Sequence, residues 1–488
     1  FAMYHSKVSK FNIVDATPFG RDVLRELADA CRKHDFRFGI YYSHNLDWSD
    51  PDGGDPGPNF VKNCNLVSWS NDWDYPDLAK KNFERYFRNK ALPQITELLT
   101  NYGPVCELWC DCPLTMEKRF SEELRDLVRR LQPDCMINSR IGNGCGDFGS
   151  LGDNQTLSVR PDILMESPGT LNRTWGYKRN DHDWKTPEYV IEQLVSLTDK
   201  GANYLLNVGP RPDGQWTPET KSILSKVGEW YERNGSGILG SGANPFPQNL
   251  SWAYCTTKGN DLNFFLRRKR ESYTISGISG RVVEANCRFQ QKDDEITFFP
   301  DGADGLLPLI RLTFDRVPAV SPQLREQGGN LALSPTAGVI RHGDTVIPED
   351  ENESIDAAGG ALRRAAHSFI ERDGSLAMWH NPADTIEWQV EVPAGGNFYG
   401  RLLTQMRDYD HTWSSSRVIE LAIAGVTRRI ALAATELPDS PHFRKVVSDL
   451  GEWIFPAGFS GKVTLRTLET GDRAARNMSL QELSFTRR

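Results

Sequence analysis

The chain has 488 residues, of which 39% are hydrophobic and 25% are charged, and its formal net charge is −8. This length exceeds what one hydrophobic core usually serves and predicts two or three domains. The acidic balance, without any Lys/Arg run interleaved with aromatics, argues against a nucleic-acid partner, and the sequence has no apolar run of about 18 residues that would span a membrane.

The first 240 residues are predicted to alternate strands and helices. Phe1–Tyr4 resembles the end of a strand, and Thr17-Pro18 has the composition of a helix start, followed by apolar residues at helical spacing. Phe36–Ser43 is predicted to be the second strand. The Asp-, Gly- and Pro-rich stretch from His44 to about Pro76 is too long for a simple connection and is predicted to shape a binding site.

A helix is predicted from about Leu78 to Leu99, and the strand after it ends at Asp111. An Asp in this position often caps the next helix. Here Thr115 is the more natural N-cap for a helix predicted from about Met116 to Leu131. Asp111 is therefore available for other chemistry.

Three more strands are predicted at Cys135–Arg140, Asp162–Glu166 and Tyr204–Val208, and helices are predicted to begin at Thr186-Pro187 and Thr217-Pro218. The result is six strand–helix units of an α/β fold, with the alternation of strand and helix that is typical of a parallel sheet. A closed (β/α)8 TIM-like barrel has eight such units. We expect a partial barrel over residues 1–240 whose first two units are missing from this sequence, with an open six-stranded sheet as the alternative.

The remainder of the chain is predicted to be all-β. Short alternating segments separated by turn residues indicate a β-sandwich over 241–320, and Ser321–Gly329 is interpreted as a linker. Residues 330–488 are β-rich again, with clean alternation at Ile386–Val392 and an acidic turn at Glu349–Glu353, and they predict a second β-sandwich. Trp379, Trp413 and Trp453 are among the tryptophans spread through it.

Asp111 and Glu166 are predicted to end strands of one parallel set, two strands apart, and so to face one pocket. A glycosidic bond is hydrolysed by such a pair of acids. One carboxylate attacks the anomeric carbon or activates water, while the other protonates the leaving oxygen. The spacing alone is a weak signal, because any barrel of this length has several acids at strand ends.

Two residues near Asp111 strengthen the hypothesis. Trp109 lies two positions earlier, on the same strand face, where its indole would stack on a sugar or pack in the core. Arg140 ends the neighbouring strand. It would bind this carboxylate or a sugar hydroxyl; the alternative is a salt bridge at the surface.

The end of the second strand carries three more candidates, Tyr41, Tyr42 and His44. Because side chains alternate along a strand, one of the two tyrosines must point toward the helices. His44 is equally compatible with a solvated position in the following loop.

The nine cysteines are an odd number, so at least one is unpaired within the chain. Cys106, Cys110 and Cys112 crowd one strand and its loop, and Cys135 and Cys145 follow. Their spacing lacks the paired Cys-x2-Cys pattern of a structural zinc site. We therefore predict neither metal nor cofactor, and a zinc protein is only a third alternative.

Over roughly residues 1–320, the sequence resembles the α-L-fucosidases of glycoside hydrolase family 29. The matching strings are Thr17-Pro-Phe-Gly-Arg-Asp22, Phe38-Gly-Ile-Tyr-Tyr-Ser43, Glu107-Leu-Trp-Cys-Asp111, Glu166 with Trp175-Gly-Tyr177, and Leu205-Leu-Asn-Val-Gly-Pro-Arg-Pro-Asp-Gly214. The last of these is the most specific.

The resemblance implies a retaining exo-α-L-fucosidase that acts on fucosylated oligosaccharides or glycoconjugates, with Asp111 as nucleophile and Glu166 as general acid/base. Retention would place the two carboxyl groups about 5–5.5 Å apart. An α-L-galactosidase is a close alternative, because L-galactose differs from L-fucose only by a hydroxyl at C6. Position and resemblance together predict a set of substrate-binding residues: Tyr41, Tyr42, His44, Trp109, Arg140 and Trp175.

The chain also departs from the family pattern. Cys112 replaces the glycine that usually follows the nucleophile, and a His-His-Asp-Gly string of the first barrel strands would end just before Phe1. If that segment is absent from the native protein, a catalytically inactive carbohydrate-binding protein becomes the alternative. Residues 330–488 loosely resemble carbohydrate-binding β-sandwiches of bacterial glycosidases, and the family predicts a secreted or periplasmic location.

Overall fold

The computed structural model describes residues 1–54, 74–112, 116–347, 368–370, 374–377, 379–407, 417–435, 443–469 and 478–488. They fall into two compact units, one of residues 1–150 and one that begins at Leu151 and ends at Arg488. The predictions that concern Thr115, Glu349–Glu353, Trp413 and residues 55–73 of the stretch from His44 to about Pro76 lie outside the described residues.

The first unit alternates helices and strands. Its helices are α1 (Val23–Lys33), α2 (Phe83–Tyr86), α3 (Leu92–Asn101) and α4 (Lys118–Leu131), with a π-helical stretch at Phe87–Ala91 and 3-10 turns at Leu78–Lys80 and Ser139–Ile141. Its strands are β1 (Gly39–Ser43), β2 (Glu107–Asp111), β3 (Met136–Ile137) and β4 (Gly149–Ser150). Strands β1, β2 and β3 form a parallel sheet in that order.

Two predicted boundaries in this unit are wrong. Helix α1 begins after Asp22 instead of Thr17, because the Asp22 carboxylate accepts the hydrogen bond of the Arg25 amide, at 3.0 Å. Phe1–Tyr4 is not a strand. Within the described residues, its strand-type pairing is limited to a single bridge between Ala2 and Asn12.

The alternation of β2 separates a core face from a second face. Leu108 and Cys110 are fully buried in a cluster with side chains of α3 and α4, so Trp109 and Asp111 share the opposite face, as predicted. Beyond the short β3, the side chain of Asn138 takes over the pairing. Its Oδ1 accepts from the Cys110 amide at 2.9 Å and its Nδ2 donates to the Cys110 carbonyl at 3.0 Å.

The second unit opens with a further α/β portion. Its elements are β5 (Met165–Thr170), α5 (Pro187–Asp199), β6 (Ala202–Asn207), α6 (Pro218–Asn234) and a 3-10 turn at Gly235–Gly237. Strands β5 and β6 are parallel. Thr186 and Thr217 cap the two helices by accepting from the Tyr189 and Thr220 amides, which confirms both predicted helix starts.

The predicted strand Asp162–Glu166 is displaced in the structure. Ile163 and Leu164 are 61% and 67% exposed, whereas every residue of β5, from Met165 to Thr170, is buried. The Ser167-Pro168-Gly169 sequence resembles a turn because proline cannot donate to a ladder, yet it lies within the strand. Glu166 is consequently the second residue of β5 and not its last.

Nine strands follow in residues 253–320. They are β7 (Ala253–Lys258), β8 (Asp261–Leu266), β9 (Tyr273–Ile275), β10 (Ile278–Ser279), β11 (Val282–Ala285), β12 (Arg288–Lys292), β13 (Glu295–Phe299), β14 (Leu309–Phe314) and β15 (Ala319–Val320). The main sheets have the orders β11-β14-β8-β7 and β12-β13-β9. Trp252, Phe264, Tyr273 and Phe298 stack in the core between them.

The C-terminal strands form two larger sheets around one core. They are β16 (Leu324–Arg325), β17 (Asn330–Leu333), β18 (Val339–His342), β19 (Thr345–Val346), β20 (Phe369–Ile370), β21 (Leu376–Ala377), β22 (Asp384–Val392), β23 (Gly396–Arg407), β24 (Val418–Ile423), β25 (Val426–Ala431), β26 (Phe443–Phe455), β27 (Phe459–Glu469) and β28 (Ser479–Arg487). A 3-10 turn spans Pro335–Ala337. We call residues 330–488 the C-terminal β-domain.

The interpretation of Ser321–Gly329 as a linker is wrong. Leu324 and Arg325 pair in parallel with β22, and the Gln327 carbonyl accepts from the indole of Trp252 at 3.0 Å. This stretch is therefore part of the packed second unit. Within the described ranges, no helix is both long and apolar enough to cross a bilayer.

Candidate active site

Asp111 ends β2 and has both carboxylate oxygens engaged. The Tyr41 hydroxyl donates to Oδ2 at 2.7 Å, and Nη1 of Arg140 donates to Oδ1 at 3.0 Å. Tyr41 reaches it because β1 and β2 are paired with Tyr41 opposite Trp109 and Ser43 opposite Asp111. The two donors fix the plane of the carboxylate, and the guanidinium balances its charge.

Trp109 lies between two of these partners. Its ring stacks on that of Tyr41, with centroids 5.5 Å apart and planes 21° from parallel, and the Arg140 guanidinium lies 4.7 Å from its centroid. Arg140 belongs to the 3-10 turn Ser139–Ile141 that follows β3, not to the strand itself. The structure thus brings together Asp111, Tyr41, Trp109 and Arg140.

The pKa of the Tyr41 phenol is raised above its usual value by desolvation and by the charge of Asp111. The phenol therefore keeps its proton at neutral pH and remains a hydrogen-bond donor to the carboxylate.

Tyr42 lies on the other face of β1, away from this group. Its hydroxyl donates to Oε1 of Gln94, in α3, at 2.7 Å. The expectation that one of the two tyrosines points toward the helices is confirmed, and that tyrosine is Tyr42. The structure does not bring Tyr42 together with Asp111.

His44 is fully buried and is not the solvated loop residue that the sequence left open. Burial lowers the pKa of its imidazole to about 4, although backbone groups of Ile141, Asp111 and Tyr42 that face the ring offset part of the shift. The ring is therefore neutral near pH 7 and lies beside the backbone of Asp111.

Two predicted residues of the second unit lie at different levels of the sheet. Glu166 is only 6% exposed and is paired with Asn203, near the start of β5 and β6. Trp175 lies beyond the C-terminal ends of these strands, where its carbonyl accepts from Nδ2 of Asn207 at 2.7 Å. Four strand residues, or roughly 13 Å, separate Glu166 from Thr170 at the end of β5.

The exposed carboxylate of Asp153 was not predicted from the sequence. Asp153 is adjacent in the chain to Asn154, which is fixed at the end of β5. The Asn154 amide donates to the Pro168 carbonyl at 2.7 Å, and its side-chain Oδ1 accepts from the Thr170 amide at 3.2 Å and from Lys185. Burial lowers the pKa of Lys185 to about 8. Asp153 had no local signal because it lies in a Gly-rich irregular stretch, and only tertiary contacts place it.

Cys112, directly after Asp111, has a backbone φ of 58°. This left-handed conformation favours glycine, the residue that the family resemblance predicts here. Burial and the neighbouring charge of Asp111 raise the pKa of the Cys112 thiol to about 12, so it stays protonated.

Among the side chains that the structure describes, no group of three or more His, Cys, Asp or Glu residues is arranged to hold a metal ion. Cys106, Cys110, Cys112, Cys135 and Cys145 are free thiols.

Comparisons with known proteins identify the family to which the chain belongs. The family model for α-L-fucosidases matches residues 1–236. Isoenzyme 1 of the α-L-fucosidase from Paenibacillus thiaminolyticus is 30% identical, and the match covers 64% of this chain and 80% of that one with a TM-score of 0.56. The chain therefore belongs to the α-L-fucosidase family of glycoside hydrolases.

Two further relatives define the extent of the likeness. The crystal structure of the α-L-fucosidase from Vibrio sp. strain EJY3 matches 100% of this chain and 83% of that one, with a TM-score of 0.78 and 24% identity, and so shares the fold. Tissue α-L-fucosidase of Bos taurus is 28% identical over 62% of this chain. The present chain spans 62% of the length of that relative and about half of its mouse and human counterparts.

His44 predicts a pH dependence of stability. Its folded pKa, about 4, lies below the 6.5 of an unfolded histidine, so the unfolded chain binds more protons between these values. Its contribution is complete above pH 6.5 and is lost as the pH falls toward 4, by roughly 3 kcal/mol in total. Urea unfolding of wild type and His44→Gln between pH 4 and 8 measures it.

His34→Gln is the matched control, because it removes an exposed histidine instead of the buried one. A wild-type His44 imidazole that titrates near pH 6.5 by NMR would contradict the assignment.

The φ of Cys112 predicts that Cys112→Gly stabilises the protein. Glycine removes the left-handed strain but adds unfolded-state entropy, so the free energy of unfolding should rise by up to about 1 kcal/mol. Cys31→Gly, within helix α1, should instead lower it by about 1 kcal/mol. Equal losses in both variants, measured by chemical denaturation, would show that no strain is stored at Cys112.

Proposed function

We propose that this protein is an exo-acting α-L-fucosidase that removes terminal α-L-fucosyl residues from oligosaccharides or glycoconjugates. The observation that carries the proposal is Asp111, a carboxylate at the end of a parallel strand with one oxygen held by Tyr41 and the other by Arg140. Membership of the family and the position of Asp111 in the Glu107–Asp111 string support its role as nucleophile.

In the proposed double displacement, a carboxylate oxygen of Asp111 attacks the anomeric carbon while an acid protonates the leaving oxygen. Water then hydrolyses the fucosyl–Asp111 ester, the same acid now acting as base, and the sugar leaves with its configuration retained. The fixed carboxylate plane lowers the cost of reaching the attack geometry. The indole of Trp109 is suited to the apolar face and C5 methyl group of L-fucose.

Two carboxylates are candidates for the acid/base role. Glu166 is the residue that the family resemblance implies, and it is buried, with 6% of its surface exposed. Asp153 is the candidate favoured by position, because it is exposed and immediately precedes Asn154, which is fixed to the end of β5. We retain Glu166 as the proposed residue and make Asp153 the alternative that experiment must distinguish.

We also propose a TIM-like (β/α) barrel over residues 1–240, followed by β-sandwiches over 241–320 and 330–488, with no cofactor and a secreted or periplasmic location. A sugar-binding role for the C-terminal β-domain gains no support from Trp379, Trp388 or Trp453, because at most 1% of each side chain is exposed. An α-L-galactosidase and an inactive binding protein are the alternatives that the first assay separates.

The first test is hydrolysis of aryl α-L-fucoside and aryl α-L-galactoside, with product stereochemistry followed by NMR. The α-L-fucoside should be preferred, and the α-anomer of fucose should be released first. Asp111→Gly should lower turnover by about 10⁴-fold or more, whereas Tyr42→Phe, on the other strand face, should affect turnover far less. First release of the β-anomer would exclude retention, and binding of fucose without turnover would favour the inactive binding protein.

The second test assigns the acid. Loss of the true acid should harm substrates with poor leaving groups far more than activated aryl fucosides, because the latter leave with little protonation. Glu166→Gln and Asp153→Asn are therefore compared on both substrate types. The variant with the selective loss identifies the acid, and equal losses on both substrate types in Glu166→Gln would remove Glu166 from the role.

A further inference from the structure

Residues 151–160, which we call the bracing segment, run beside β5 without regular secondary structure. The Leu151 amide donates to the Glu166 carbonyl at 2.9 Å, and the Asn154 amide donates to the Pro168 carbonyl at 2.7 Å. The Ser167 hydroxyl donates to the Gln155 carbonyl. The segment thus binds the strand that carries Glu166 along its length, and it carries Asp153 itself.

The other side of the bracing segment contacts the C-terminal β-domain, which lies in the same compact unit. The Ser158 hydroxyl donates to Oε1 of Gln481, in β28, and Nζ of Lys445 donates to the Thr156 hydroxyl at 3.3 Å. Val159 packs directly on Gly374, where an added Cβ would collide with its Cγ2. Glycine is therefore required sterically as well as by its φ of 83°.

A partly buried polar chain continues this interface. Nδ2 of Asn249 donates both to the Ser158 carbonyl at 3.0 Å and to Oε2 of Glu482 at 2.9 Å, and Lys200 donates to Oδ1 of Asn249. Burial raises the pKa of Glu482. Polar groups are costly to bury unless each finds a partner, so these contacts specify one position of the domain on the segment.

We propose that the C-terminal β-domain positions the bracing segment, and through it β5 and its acid/base candidates, so that the domain is needed for catalysis on small substrates. If the domain were only a flexibly tethered sugar-binding module, its loss would affect only the hydrolysis of extended glycans. The mechanism therefore requires the β-domain even for an aryl fucoside that touches nothing beyond the sugar pocket. This inference rests on the proposed fucosidase function.

The sharpest test compares Gly374→Ala with Gly425→Ala. Both glycines belong to the C-terminal β-domain and have similar positive φ values, 83° and 79°. An added methyl group at Gly374 meets Val159, whereas nothing lies within 4 Å at Gly425. The two variants share the backbone strain, and only Gly374→Ala displaces the bracing segment.

For Gly374→Ala, we expect faster hydrogen exchange of the Leu151 and Asn154 amides and a fall in kcat of about tenfold or more on an aryl fucoside. KM should change little, and the loss should be greater on substrates with poor leaving groups. Gly425→Ala should match wild type in all of these. Identical exchange and kinetics in the two glycine variants would overturn the proposal.

Ser158→Ala and Lys445→Ala provide milder variants if Gly374→Ala does not fold, and each should show the same pattern at smaller amplitude. Arg466→Ala removes an ion pair with Glu420 on the other sheet of the domain and is their control. Hydrogen exchange is read without substrate, so absence of fucosidase activity in wild type would refute the proposed function while leaving the bracing contact testable.

Discussion

The parallel register of β1 and β2 is the constraint on which the candidate site depends. Because Tyr41 is paired with Trp109 and Ser43 with Asp111, the phenol, the indole and the carboxylate all leave the sheet on one face. A shift of one residue would send Trp109 and Asp111 toward α3 and α4 and would bring Leu108 and Cys110 to the functional face. The buried Leu108 and Cys110 therefore determine the position of the carboxylate as firmly as its own hydrogen bonds do.

Much of the arrangement around Asp111 could be predicted from the sequence. Alternation along a strand places Trp109 with Asp111, and the run of apolar residues identifies the buried face. The family resemblance added the roles. Arg140 was one of the predicted partners of this carboxylate. The hydrogen bond from Tyr41 was not predicted, because it joins residues that are 70 positions apart.

The second unit shows where local rules fail. The Ser167-Pro168-Gly169 sequence is typical of a turn, yet tertiary pairing with β6 makes it a strand and moves Glu166 away from the strand end. Asp153 was not singled out, and the Ser321–Gly329 stretch was misinterpreted as a linker, for the same reason. Their positions are set by backbone contacts with distant residues, and the amino-acid composition of a segment does not indicate such contacts.

The side chains of Asn154 and Asn249 both serve the fold internally, the first with Lys185 and Thr170, the second with Lys200 and Glu482. Both asparagines also stand in acceptor strings for N-linked glycans, Asn154-Gln-Thr and Asn249-Leu-Ser. In a eukaryotic secretory host, a glycan on Asn249 would replace one hydrogen of the Nδ2 group that donates to Ser158 and Glu482. A glycan on Asn154 would place a bulky sugar beside the Oδ1 that Thr170 and Lys185 contact. The choice of expression host therefore bears directly on whether this chain reaches its native state.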